Sequence, residues 1–180
     1  MGMARHSLDS RVRLRHASLL EQAESDLASN RVQMAEKKAQ RILCADPDHV
    51  GALEISAKCQ WRLGRFEPVV ATTERLIRLN PYEPGYHSLR GAALQALGLL
   101  REAIRHFRRS IELGEDANSV NSVIFLEECQ RSLVDEMLQN DEAFRDAFRR
   151  DPVAACLSKG IHLPVQALRA DVGPLTVRPS

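Results

Sequence analysis

The side chains of this 180-residue chain best suited to metal binding or nucleophilic chemistry are six histidines and four cysteines. The histidines are His6, His16, His49, His87, His106 and His162, and the cysteines are Cys44, Cys59, Cys129 and Cys156. No histidine stands at i, i+4 from another His or Cys, the spacing that places two ligands on one helix face. No two cysteines form a CxxC pair. Cys44, Cys59 and His49 could approach one another, but a zinc site usually needs about four ligands at tight spacing. Glu127 and Glu128 are adjacent on a helix pattern, so their carboxylates diverge rather than share a substrate. No GxSxG elbow, phosphate loop or dinucleotide fingerprint occurs, and Gly91 in Arg-Gly-Ala-Ala-Leu reads as helix packing. The sequence therefore predicts no catalytic residue, no metal ligand set and no cofactor-binding residue. The expectation is a protein that is not an enzyme.

The cations form two groups. Arg5, Arg11, Arg13 and Arg15, with His6 and His16, cluster near the start, where they can make a solvated helix or an anion-binding patch. Arg101, Arg105, Arg108 and Arg109 make a stripe at helical spacing. Glu102 and Glu112 can neutralise that stripe on a solvated face. Aromatic residues make up only 4% of the chain, too few to interleave with the stripe as base-stacking platforms. The formal net charge of +1 supplies no global field for nucleic acid or membrane. Nucleic acid and membrane are thus disfavoured as partners. No apolar run approaches the roughly 18 residues of a membrane span. No secretory h-region follows the basic start, and His6 stands where a myristoylation site needs Ser or Thr. Thiols without a disulfide framework fit a reducing compartment, so the expected location is cytoplasmic.

What must position these side chains is a repeat. Asn30, Gly64 and Gly98 lie 34 residues apart, as do Pro47, Pro81 and Glu115. Ala23, Ala57 and Gly91 keep the same spacing, and so do Ala35, Val69 and Ala103. A period of about 34 residues is the mark of a helix–turn–helix solenoid. Small residues at 23, 57 and 91 allow close helix approach. Asn30, Gly64 and Gly98 suit a left-handed turn after the first helix. Pro47 and Pro81 stop the second helix, and Asp46 and Asn80 before them are turned away from helix.

The predicted architecture is all-α: about three repeats, a long capping helix and a short helical tail. Residues 1–10 read as a polar arm, with Asp9 or Ser10 capping the first helix. Residues 11–139 read as the solenoid with its capping helix. That last helix is expected to run from Asp116 or Asn118 to about Gln139. Its predicted apolar face is Val120, Val123, Ile124, Leu126, Leu133, Val134 and Met137. Residues 140–163 hold two short helices, one striped by Ala143, Phe144, Ala147 and Phe148 and one opened by Asp151-Pro152 and closed by Gly160. This pair is expected to dock on the capping helix. Residues 164–180 form an irregular tail, with a short strand at 175–177 as an alternative.

Residues 16–115 resemble the tetratricopeptide repeat family. The resemblance rests on Ala35 and Pro47, then Leu53, Ala57, Gly64 and Pro81, then Gly91, Leu94, Gly98, Ala103 and Phe107. Val69, Thr73 and Glu115 depart from the family pattern. The resemblance implies a superhelix with a concave face lined mainly by the first helix of each repeat. Candidate groove residues for a peptide or protein partner are Leu20, Glu24, Leu27, Glu54, Lys58, Trp61, Arg62, Ser88 and Gln95. Trp61 is the natural anchor if it faces the groove, and it is core if it faces the next repeat. Chaperone-binding members hold a peptide carboxylate with cations and amides. By register those places fall on Leu20, Glu24, Ile55, Gly85 and Leu89, which cannot do this.

Residues 141–164 are also similar to the leader segment of nitrile-hydratase-like peptide precursors. The similarity lies in Asp141-Glu142-Ala143-Phe144-Arg145, Asp151-Pro152, Ala154-Ala155, Gly160-Ile161 and Leu163-Pro164. The first functional expectation is an interaction scaffold or adaptor. The second is a regulatory domain of transcription or of a biosynthetic system, or a precursor or docking protein acting through the leader-like segment.

Overall fold

The computed structural model describes residues 2–114 and 117–163, with side chains from Arg13 onward. These residues form helices α1 (Gly2–Ala28), α2 (Val32–Ala45), α3 (Val50–Arg62), α4 (Phe66–Leu79), α5 (Pro84–Ala96), α6 (Leu100–Leu113), α7 (Ala117–Asn140), α8 (Glu142–Arg150) and α9 (Pro152–Ser158). No strand occurs among the described residues. The expected strand at 175–177, the closing Glu115 and the capping Asp116 lie outside them. The chain divides into two compact units, Met1–Ser119 and Val120–Ser180, with the boundary inside α7.

In the first unit each helix packs on the next, and α1 also reaches α3. Three turns repeat one geometry. Asn30, Gly64 and Gly98 have φ of 59°, 68° and 76°. After each, the next amide closes on the carbonyl five residues back: Arg31 to Asp26 at 2.7 Å, Arg65 to Gln60 at 2.9 Å, and Leu99 to Leu94 at 2.9 Å. These are Schellman closures, which satisfy the last carbonyls of a helix and need a left-handed residue. Asp46 and Asn80, each ahead of a proline, leave helical geometry with φ of −136° and −141°.

The small columns are fully packed. Ala23, Ala57, Ala35, Val69 and Ala103 have no exposed surface. Val69 fills the alanine column without breaking it. Thr73, in the aromatic column, is equally buried and donates its hydroxyl to the Val69 carbonyl at 2.7 Å. Opposite the first small column stands another at the same period: Ala39, Thr73 and Phe107. Where that column reaches Phe107, the small column falls from Ala to Gly91. A Cβ added at Gly91 would lie 2.8 Å from Phe107 Cδ1.

Two details of α1 and α2 differ from expectation or go beyond it. The helix α1 begins at Gly2, so the expected arm is drawn into it and Asp9 and Ser10 lie inside rather than at its cap. No glycine or proline falls between Met3 and Ala28, and Ala, Arg and Leu propagate helix well. The buried carboxylate of Asp26 receives Lys38 at 2.6 Å and Arg31 at 2.7 Å, tying α1 to α2. The hydrogen bonds from Lys38 and then Arg31 hold its carboxyl below the usual range.

In the second unit, α8 and α9 dock on α7. Val134, Phe144, Phe148, Ala155, Cys156 and Ile161 share one core. Asp141 and Asp151 cap the two short helices, accepting from Phe144 N at 2.8 Å and Ala154 N at 3.0 Å. Gly160 closes α9 with φ of 73°. Arg145 donates to the carbonyls of Leu138 and Gln139 and so finishes α7. The buried Gln130 accepts the His162 amide. The expected apolar face of α7 is split: Leu126 and Val134 are buried, whereas Val120, Ile124 and Leu133 are exposed. The last three flank the buried stripe rather than sit on it.

Candidate functional site

Two of the expected groove residues, Glu54 and Lys58, line a hollow of about 270 Å³ in the first unit. They stand one turn apart on α3. The opposite wall is the start of α5, with Glu83, Gly85, Tyr86 and Leu89, and Ala57 and Leu76 make the floor. Tyr86 donates its hydroxyl to Glu54 Oε1 at 2.5 Å, which joins the two walls. Burial, with the Glu54 carboxylate beside it, pushes the Tyr86 phenol well above its ordinary range. It is therefore a fixed donor to Glu54 and not a base. Glu83 is committed to capping α5, accepting from Gly85 N at 3.3 Å. Lys58 is exposed and makes no ion pair among the described residues. The hollow thus offers an apolar floor, one exposed ammonium and a carboxylate pinned at one oxygen.

The other expected groove residues have different surroundings. Leu27 is buried in the core of α1, α2 and α3 and has no surface to give a partner. Its position is the register equivalent of Trp61, but it points between helices that pack directly on it. Arg62 donates to the Leu27 carbonyl at 2.5 Å and so finishes the end of α1. Trp61 is 38% exposed, with its ring edge-on to Phe66 at 5.3 Å between centroids. It is neither core nor part of the hollow. Leu20 packs against the first core and covers Gly51. Glu24 is exposed on α1. Ser88 accepts from Ser119 at 3.1 Å. Gln95 is half-buried, and its carbonyl accepts Gly98 N.

Tyr86, Glu83 and Leu89 were not among the expected residues. The signal for Tyr86 lies in the register: it stands two residues before Ser88, the repeat equivalent of Glu54. Neighbouring first helices meet at such an offset and not at equal positions.

A second polar cluster joins α4, α5 and α6. His87 and His106 stack, with their Nδ1 atoms 3.2 Å apart. Arg90 donates to His106 Nε2 at 3.2 Å and to the Val70 carbonyl at 2.8 Å, and it lies 3.5 Å from Glu74. With Nε2 accepting, the His106 proton sits on Nδ1 and is donated to His87 Nδ1. Burial, followed by the charge of Arg90, lowers the His106 pKa to about 4, and burial lowers that of His87. Both rings are neutral and structural. The thiol of Cys59 is likewise pushed up to about 11 by burial.

No protein-family model matches the chain, and no curated protein does. Solved structures do resemble it. The first tetratricopeptide domain of Spaghetti (RPAP3), bound to an HSP90 peptide, is 22% identical, with a TM-score of 0.61 over 64% of this chain and 93% of that one. The N-terminal domain of stress-induced protein-1 (STI-1) from C. elegans is 18% identical, with a TM-score of 0.56 over 62% of this chain and 94% of that one. The Yersinia enterocolitica type III secretion translocator chaperone SycD is 17% identical, with a TM-score of 0.52 over 80% of this chain and 93% of that one. Register, turn geometry and these likenesses agree that the chain has the all-α fold of tetratricopeptide repeat solenoids.

Proposed function

We propose that this protein is a non-catalytic interaction scaffold that holds an extended peptide or protein segment across the first helices of its repeats. The observation that carries this reading is the hollow between α3 and α5, where an apolar floor meets Lys58, Glu54 and Tyr86. Recognition sites of this kind combine apolar area with a few fixed polar groups. Support comes from the fold shared with the RPAP3 domains, whose structures contain HSP90 and HSP70 peptides. The mode of recognition differs from a carboxylate clamp. Ile55 is buried, Gly85 carries no side chain, and Leu20 and Leu89 are apolar and half-buried. Glu24 would repel a carboxylate.

The test is affinity capture with the full chain, followed by affinity measurement on the captured partner. Lys58→Glu should weaken binding by about tenfold or more, as loss of a central charged contact does. Its thermal midpoint should be unchanged, because Lys58 is exposed. Arg101→Glu on the outer helix α6 should leave affinity unchanged. A partner insensitive to Lys58→Glu but lost with Arg101→Glu would move the interface to the arginine stripe and overturn the groove reading. Retention of nucleic acid with a steep salt dependence would favour the regulatory alternative instead.

A further inference from the structure

A second hollow, of about 440 Å³, lies between α1 and α2 and is lined by Arg15, His16, Leu19, Arg41 and Ala45. Of these five described lining side chains three are basic and none is acidic. Arg15 and Arg41 form no ion pair among the described residues, whereas Arg75 and Arg109, the register equivalents of Arg41, both do. The repeat explains why Arg41 lacks a partner. Arg41, Arg75 and Arg109 are register equivalents, 34 residues apart. Arg75 donates to the Pro47 carbonyl and lies 3.4 Å from Asp48, in the turn before α3. Arg109 pairs with Glu112 at 2.9 Å. One repeat before Asp48 stands Leu14, inside the uninterrupted helix α1, and the next residue is Arg15. In the first repeat the place of Asp48 is therefore apolar, and a second cation, Arg15, follows it directly. His16 is held at the same place by an edge contact with His49, 5.8 Å between centroids.

We infer that this hollow is a binding site for a small organic oxyanion, a phosphate or carboxylate, that takes the place Asp48 fills in the second repeat. Two guanidinium groups from different helices, with no acceptor among the described residues, offer the donors that such anions satisfy. Leu19 and Ala45 offer a wall for an apolar portion of the ligand, and the volume is within the range of small-molecule sites. The site shares no lining residue with the Glu54–Tyr86 hollow, and it does not depend on the peptide-binding reading.

The experiment is an NMR titration of isotopically labelled full chain with inorganic phosphate, phenyl phosphate and benzoate, at ionic strength held constant with sodium chloride. Saturable shifts confined to the amides of residues 15–19 and 41–45 are expected, with phenyl phosphate tighter than inorganic phosphate. Arg41→Gln and Arg15→Gln should each weaken phenyl phosphate by about tenfold or more. Arg75→Gln should not, because that guanidinium already has its acceptor. Both target arginines are exposed, so either variant keeps the fold, and each checks the other. Phenyl phosphate tighter than benzoate assigns a phosphate ligand, and the reverse order assigns a carboxylate. Linear shifts spread over all arginines, or an affinity unchanged in Arg41→Gln, would overturn the site.

Discussion

Gly91→Ala probes a close crossing of α5 and α6. The new Cβ would lie 2.8, 2.9 and 3.1 Å from Phe107 Cδ1, Cε1 and Cγ. Carbon atoms prefer about 3.5–4.0 Å. Phe107 is only 2% exposed, so its ring has nowhere to retreat. Overpacking of this kind costs about 1–3 kcal/mol. Replacing a helical glycine by alanine returns about 1 kcal/mol of helix propensity. The net expectation is a loss of about 1 kcal/mol, or roughly 4 °C in the thermal midpoint. Urea unfolding monitored by circular dichroism measures it. The decisive arm is the same substitution in a Phe107→Leu background. There the ring is gone, the propensity gain stands alone, and Gly91→Ala should stabilise by about 1 kcal/mol. An effect of the same sign and size in both backgrounds would refute the pairing of Gly91 with Phe107.

Three further outcomes are expected. Acid should weaken the first unit through His106 and His87, whose folded pKa values are depressed; their contribution is complete above about pH 6.5 and is lost as pH falls toward about 4. Glu74 faces this cluster as its counter-charge, while Arg90, Arg105 and Arg109 oppose protonation. The slope of stability against pH in that window should flatten in His106→Gln, measured by urea midpoints at each pH. Trp61→Ala should cost about 1–2 kcal/mol, short of the roughly 3–5 kcal/mol of a core tryptophan, because the residue is 38% exposed and its ring meets Phe66 edge-on. A larger loss on denaturant unfolding would place the indole in the core after all. Asp151→Ala should cost the second unit about 1 kcal/mol through loss of the α9 cap. Hydrogen exchange at Val153 to Cys156 reads this locally, and unchanged protection there would count against the cap.

The sequence by itself determined the helices, their turns and the spacing of the repeat. Those features are set by local rules: a left-handed residue at Asn30, Gly64 and Gly98, a proline after Asp46 and Asn80, and an aspartate before Pro152. Each acts within a few residues of itself, so each can be read from the chain in order. The start of α1 was misread because a polar composition does not by itself break a helix when no glycine or proline interrupts it. The tertiary structure alone decided which side chains meet across helices. Tyr86 reaches Glu54, Arg62 reaches the Leu27 carbonyl, and His106 reaches His87 and Arg90. Such contacts depend on the offset and rotation of packed helices, which a 34-residue period leaves open. The same offset sends Leu27 into the core and leaves its repeat equivalent, Trp61, partly at the surface. Arg41 lacks the acceptor that Arg75 finds in the turn before α3, because the continuous helix α1 stands where that turn would be.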